Sequence, residues 1–148
     1  MIRNFLLICL LGCGISLATA GNPPYFTTGT AVNGKGELLM TQKGTKRLDV
    51  FAADGKTLLR SYPFKETPTG LLLDGDMAYV TTFEKTGRLE VLSLKSGQVE
   101  AVIPTGSGAC YPIFSADKKH IYVCNQFAGT VSEIDPATCK VVRSVKVL

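Results

Sequence analysis

A pattern of short apolar segments recurs along this chain, with a period of about 40 residues that is typical of repeat architectures. Three segments match one another: "ELLMTQKGTKRLDVFAADGKTLLRSYPF" at 37–64, "MAYVTTFEKTGRLEVLSLKSGQVEAVIP" at 77–104, and "IYVCNQFAGTVSEIDPATCKVVRSVKVL" at 121–148. Leu39, Tyr79 and Tyr122 occupy the same place in the three copies. Each copy is therefore expected to be one supersecondary unit.

Each copy divides into four short segments in which apolar and polar residues alternate, as half-buried strands require. Turn sequences such as Asn33-Gly34 and Asp54-Gly55 separate them, because these residues tolerate positive φ at low steric cost. Helical periodicity is not evident after Ala20. The sequence therefore predicts an all-β protein of three four-stranded antiparallel units, at about 26–66, 67–108 and 109–148.

Four antiparallel strands in a unit of about 40 residues are typical of a β-propeller blade. The segment "IYVCNQFAGTVSEIDPATCKVV" resembles the YVTN-repeat β-propeller family, which includes YncE-like exported proteins. "AYVTT" with "LEVLSLKSG" is a looser copy, and "LLMTQ" with "LDVFAADGK" is looser still, so the resemblance covers about 26–148. Tyr122, Val131 and Ile134 are predicted to fill the space between blades.

Three blades make an incomplete ring, because propellers generally use about four to eight. An open arc would expose an apolar sheet face at each end. We therefore expect either that these 148 residues are the N-terminal part of a longer propeller, or that arcs self-associate into a ring.

The N-terminal segment 1–20, "MIRNFLLICLLGCGISLATA", has the layout of a secretory signal peptide, with a cation at Arg3, an apolar run and small residues before the cleavage site. We favour cleavage after Ala20. The alternative is a lipoprotein-type box that would make Cys13 a lipidated N-terminus. Both interpretations predict export to the periplasm, the outer surface or the medium. No later segment reaches the ~20 apolar residues that a membrane-spanning helix needs.

Three cysteines follow this segment, at Cys110, Cys124 and Cys139. An odd number means that at least one is not paired within the chain. Cys110 and Cys124 would lie near the same end of one hairpin, which makes them a candidate disulfide; free thiols are the alternative. No C-x-x-C or C-x-x-C-H motif occurs, and no cofactor is predicted.

A binding surface is predicted where the loops between second and third strands meet the connections between units, at one end of the sheets that we call the mouth. These loops carry six cations and two anions. The predicted ligand-binding residues are Lys43, Arg47, Lys85, Arg88, Asn125, Gln126 and Phe127. An anionic small molecule, polysaccharide or protein would suit them. Nucleic acid is less favoured, because 15 Lys and Arg against 12 Asp and Glu leave only a small positive excess after Arg3 is removed with the leader. The alternative is that the lysines are solvated loop residues.

No catalytic or metal-binding set is predicted. His120 is the single histidine, at a turn away from the mouth and without a nucleophile beside it. The Asp54 and Asp74–Asp76 turns do not have the spacing of a calcium loop. The favoured function is thus an exported propeller that serves as a ligand-binding or protein-interaction scaffold. The alternatives are a lactonase-like hydrolase and a propeller domain partnered with a cytochrome or another redox module.

Overall fold

The computed structural model describes residues 27–83 and 85–147. The predicted leader and Cys13 lie outside this part of the chain. The described residues form twelve strands and no helix, in three four-stranded antiparallel sheets, so the predicted fold class is confirmed. No helix among them is long and apolar enough to cross a membrane.

Each sheet is a meander of four consecutive strands. The first contains β1 (Thr27–Val32), β2 (Leu38–Gln42), β3 (Arg47–Phe51) and β4 (Leu58–Pro63). The second contains β5 (Pro68–Asp74), β6 (Met77–Thr82), β7 (Arg88–Ser93) and β8 (Val99–Pro104). The third contains β9 (Ala109–Phe114), β10 (Ile121–Asn125), β11 (Thr130–Asp135) and β12 (Lys140–Lys146).

The sheets pack face to face through two apolar clusters. Leu39, Leu48 and Val50 of the first sheet meet residues of the second that include Val80 and Leu92. The other face of the second sheet meets the third through a separate cluster. That cluster includes Tyr79, Leu89, Val91, Ile121, Val123 and Ile134. The middle sheet is therefore covered on both faces, as stacking of repeated units requires.

Strand alternation divides the predicted packing residues between two faces of the third sheet. Ile134 is fully buried against the second sheet. Tyr122 and Val131 lie on the opposite face and remain half-exposed. Side chains of successive strand residues point to opposite faces, so the three residues cannot share one cluster. The prediction that these residues fill the space between blades is confirmed for Ile134. Tyr122 and Val131 lie on the outer face of the third sheet, so for them it stays a prediction.

A repeated contact sets the distance between the innermost strands β1, β5 and β9. The Thr28 hydroxyl donates to the Pro68 carbonyl at 3.2 Å, and the Thr69 hydroxyl donates to the Ala109 carbonyl at 2.9 Å. The next residue is glycine in both cases. A Cβ on Gly29 would lie 2.8 Å from the Leu71 nitrogen, and one on Gly70 would lie 2.5 Å from the Pro112 Cδ. The glycines thus allow each sheet to approach the next.

The third sheet has a different residue at the glycine position. Tyr111 is the third residue of β9, as Gly70 is of β5, and it has a φ of 50° and exposes 69% of its surface. Left-handed φ is uncommon for a bulky residue.

Candidate ligand-binding surface at the mouth

At the mouth, backbone hydrogen bonds join the loops between second and third strands to the connections between sheets. Phe83 N donates to Thr67 O at 2.9 Å, and Gln126 N donates to Gly108 O at 3.0 Å. Each bond joins the loop after a second strand to the connection that precedes that sheet. The loops that carry the predicted binding residues therefore lie at one end of the sheets.

A row of one lysine and two phenylalanines crosses the mouth and joins all three sheets. The Lys43 Nζ lies 5.5 Å from the centroid of the Phe83 ring. The Phe83 and Phe127 ring centroids are 4.8 Å apart, with their planes tilted by 59°. Phe127 is 65% exposed, Lys43 is exposed and Phe83 is half-buried. We call these three residues the aromatic row.

The backbone around Gly108 holds Phe127 in the row. Gly108 has a φ of 77°, and a Cβ there would lie 2.8 Å from the Phe127 nitrogen and 3.0 Å from its Cδ2. The Phe127 N–H donates to the Ser107 carbonyl at 3.1 Å. The exposed ring is therefore fixed at its base by the connection between the second and third sheets.

The two predicted arginines are each beside a carboxylate. Arg47 Nε lies 3.0 Å from a carboxylate oxygen of Asp49, and the buried Asp49 also accepts from the Ser61 hydroxyl at 2.6 Å. Arg88 Nη1 lies 4.0 Å from Glu66 Oε1. These pairs reduce the positive charge that the arginines offer to a ligand.

Asn125 lies beneath the mouth and not on its surface. Its side chain is 0% exposed. Its Oδ1 accepts from Gly106 N at 2.9 Å, while Nδ2 donates to the hydroxyls of Thr130 and Ser132 at 3.0 and 2.9 Å. All of these partners are protein groups. Asn125 therefore links the connection between β8 and β9 to β10 and β11, and it presents no free polar group to a ligand.

The remaining predicted residues, Lys85 and Gln126, are exposed on the loops of the second and third sheets. Among residues 27–83 and 85–147, no carboxylate lies within ion-pair distance of Lys43 or Lys85. The structure thus brings together Lys43 and Phe127 through Phe83, which sequence reasoning missed. The available signal was an apolar residue directly after β6, where the other copies have Lys43 and Gln126.

One buried carboxyl lies in the second sheet near the mouth. Glu90 is 6% exposed, and burial raises its pKa, while nearby Arg88 acts in the opposite direction. The equivalent residues are Asp49 in the first sheet and Ser132 in the third. Of the three described sheets, only the third has an uncharged residue, Ser132, at this position.

The carboxylates of Asp54 and Asp74, in the acidic turns at the other end of the sheets, have partners within the protein. Asp54 accepts from Lys56 N, Thr57 N and the Thr57 hydroxyl at 2.7–2.9 Å, and these bonds hold the pKa of Asp54 at about 2. Asp74 pairs with Lys118 at 2.9 Å. No group of three or more metal-ligating side chains is arranged around a common point among the described residues.

His120 belongs to a charged cluster on the outer face of the third sheet. Its Nδ1 lies 3.4 Å from Glu133 Oε1, and the other oxygen of that carboxylate accepts from Arg143. The cluster is formed by strand residues of β11 and β12 and the turn before β10.

Cys110, Cys124 and Cys139 carry free thiols in the structure, and the Cys110–Cys124 disulfide stays a prediction. The two residues nevertheless lie directly opposite each other in the β9–β10 register. Cys110 is buried and its Sγ donates to the Cys124 carbonyl at 3.6 Å, whereas Cys124 is exposed.

No family model and no curated protein matches the chain. Among solved structures, hydrazine synthase of Kuenenia stuttgartiensis is similar with a TM-score of 0.74 and 17% identity, over 90% of this chain and 39% of that one. The computationally designed Ika8 protein is similar with a TM-score of 0.66 and 17% identity, over 86% of this chain and 38% of that one. The chain thus spans about two fifths of the length of each neighbour. Together with the three meander sheets, these similarities show a β-propeller fold.

Proposed function

We propose that this chain is an exported β-propeller scaffold of the YVTN-repeat type, and that its mouth binds anionic ligands that also carry an apolar or aromatic group. The aromatic row is the observation that supports this proposal. Export is supported by the signal-peptide layout of segment 1–20, and the family by the segment at 121–142.

The aromatic row combines two kinds of attraction in one place. Phe127 exposes a large apolar ring that Gly108 and Ser107 fix at its base, so little side-chain freedom is lost when a ligand packs on it. Lys43 supplies a positive charge beside the same surface. A carboxylate or phosphate would approach Lys43 while the apolar body of the ligand covers Phe127.

The proposal favours small organic acids and acidic sugars over nucleic acid. Arg47 and Arg88 are beside carboxylates, which reduces the positive charge that the mouth offers to a phosphate backbone. Proteins that bind single-stranded nucleic acid without sequence preference follow its backbone with a positively charged groove.

The test is a calorimetric binding screen of aromatic and aliphatic carboxylates, each compared with its neutral amide, on protein recovered after export. We expect Phe127→Ala to weaken binding of a carboxylate hit about tenfold. Lys43→Gln should weaken it about two- to fivefold and leave the amide unaffected. Lys95→Gln, an exposed lysine at the β7–β8 turn away from the mouth, is the matched control.

Binding unchanged in both mouth variants, or no preference for carboxylate over amide, would remove the proposed site. N-terminal sequencing of the recovered protein tests export independently. It should begin at Gly21; a lipidated Cys13 would support the alternative anchor, and an intact Met1 would contradict processing.

A further inference from the structure

The first two sheets contain the same cross-strand pair of threonine hydroxyls. The Oγ1 atoms of Thr28 and Thr41 lie 3.1 Å apart in the first sheet, and those of Thr69 and Thr81 lie 3.1 Å apart in the second. In each pair one residue is second in the innermost strand and its partner is the last but one in the neighbouring strand. The repeat thus brings the tips of these two side chains together.

Cysteines occupy both positions in the third sheet. Cys110 is second in β9 and Cys124 is the last but one in β10, and the register places them directly opposite. Residues opposite each other in antiparallel strands have Cα atoms about 4.5–5.5 Å apart. This separation falls within the range of about 4.4–6.8 Å that disulfides use.

We propose that Cys110 and Cys124 are a redox-active pair that forms a cross-strand disulfide, in the place where the first two sheets have a hydroxyl pair. The oxidant would be a small-molecule disulfide or the disulfide of a thiol oxidoreductase, as found in oxidising compartments. This inference goes beyond the proposed ligand binding and does not depend on it.

The two cysteines have different roles in the exchange. Cys124 is exposed, so its thiolate attacks one sulfur of the oxidant, forms a mixed disulfide and releases one thiolate. Cys110 then loses its proton and attacks the Cys124 sulfur, which releases the second thiolate. Two cysteine thiols are oxidised, and one disulfide is reduced to two thiols.

Burial supports this order. It raises the pKa of the Cys110 thiol, which keeps that thiol protonated while Cys124 reacts. Cys139 is in the turn between β11 and β12, where its Sγ donates to the Pro136 carbonyl at 3.6 Å. It lies at the other end of the third sheet and is expected to stay unpaired.

The first test is mass mapping of the wild-type protein, equilibrated with oxidised and reduced glutathione, quenched in acid, alkylated and digested. In the oxidising buffer we expect a peptide pair linked through Cys110 and Cys124, lighter by two hydrogen atoms than the reduced pair, with Cys139 alkylated. Alkylation of both Cys110 and Cys124 in the most oxidising buffer, or a link to Cys139, would overturn the proposal.

The second test uses the double variant Cys110→Thr with Cys124→Thr, which restores the pair present in the first two sheets. Oxidised wild type should melt about 5–10 °C above reduced wild type, because the cross-link restricts the unfolded chain. The double variant should melt at one temperature with and without reductant. A wild-type midpoint that reductant does not change would contradict the inference, and Cys139→Ser, which should behave as wild type, is the control for the third thiol.

Discussion

At the scale of single residues, buried polar groups in equivalent positions have different partners in the three sheets. Asn125 is surrounded by a backbone N–H and two hydroxyls, all within hydrogen-bond distance. Gln42 and Thr82 hold the same strand position in the other sheets, and each has a buried side-chain oxygen without a hydrogen-bond partner among the described residues. Equivalent positions therefore differ in how well they are satisfied, and only the third of the described sheets has the complete arrangement.

Glu90 predicts a pH dependence of stability. Burial raises its pKa above the ordinary 4.5, so the folded protein binds its proton more tightly than the unfolded chain does. The stability that this group contributes is fully present below pH 4.5 and declines as the pH rises through its folded pKa. We expect Glu90→Gln to raise the urea midpoint relative to wild type at pH 7, and to have little effect at pH 4. Glu100→Gln, on an exposed position of β8, is the control. A Glu90→Gln effect that is the same at both pH values would contradict this account.

At the scale of strands and sheets, the Gly70 position decides how closely the second and third sheets approach. A Cβ at this position would lie 2.5 Å from Pro112 Cδ and 2.7 Å from Thr81 Oγ1. We expect Gly70→Ala to lower the free energy of unfolding by about 1–3 kcal/mol in urea denaturation. Gly34→Ala is the matched control, because nothing lies within 4 Å of its Cβ, and its effect should stay within about 0.5 kcal/mol. Equal stability of both variants would show that the innermost strands can separate at no cost.

The strands could be predicted from the sequence because their signals are local. The aromatic row could not, because it joins loops of different sheets. Strand alternation and turn residues are local signals, and the segment "IYVCN" coincides with β10, Ile121–Asn125. The contact between Phe83 and Phe127 joins loops of different sheets and depends on how those sheets are placed. The same holds for the carboxylates beside Arg47 and Arg88, which local composition does not distinguish from free surface charges.

At the scale of the whole molecule, the outer faces of the first and third sheets carry apolar side chains that no described residue covers. Val32 and Leu58 are exposed on the first sheet, and Ile113 and Val145 on the third. We expect residues 21–148, expressed alone, to self-associate in sedimentation velocity experiments. Ile113→Lys should shift the distribution toward monomer, and Val102→Lys, similarly exposed but on the middle sheet, should not. A single monomeric species of the wild-type segment would refute the expectation.

Tyr111 makes the two ends of this three-sheet stack chemically unequal. The contacts from the first sheet to the second and from the second to the third each need a residue without a side chain. The third sheet presents a phenol ring on a left-handed backbone at that place. Any structure that packs against this part of β9 must therefore stand farther from it than β5 stands from β1, or displace the Tyr111 ring. The regularity of the repeat is broken at this residue.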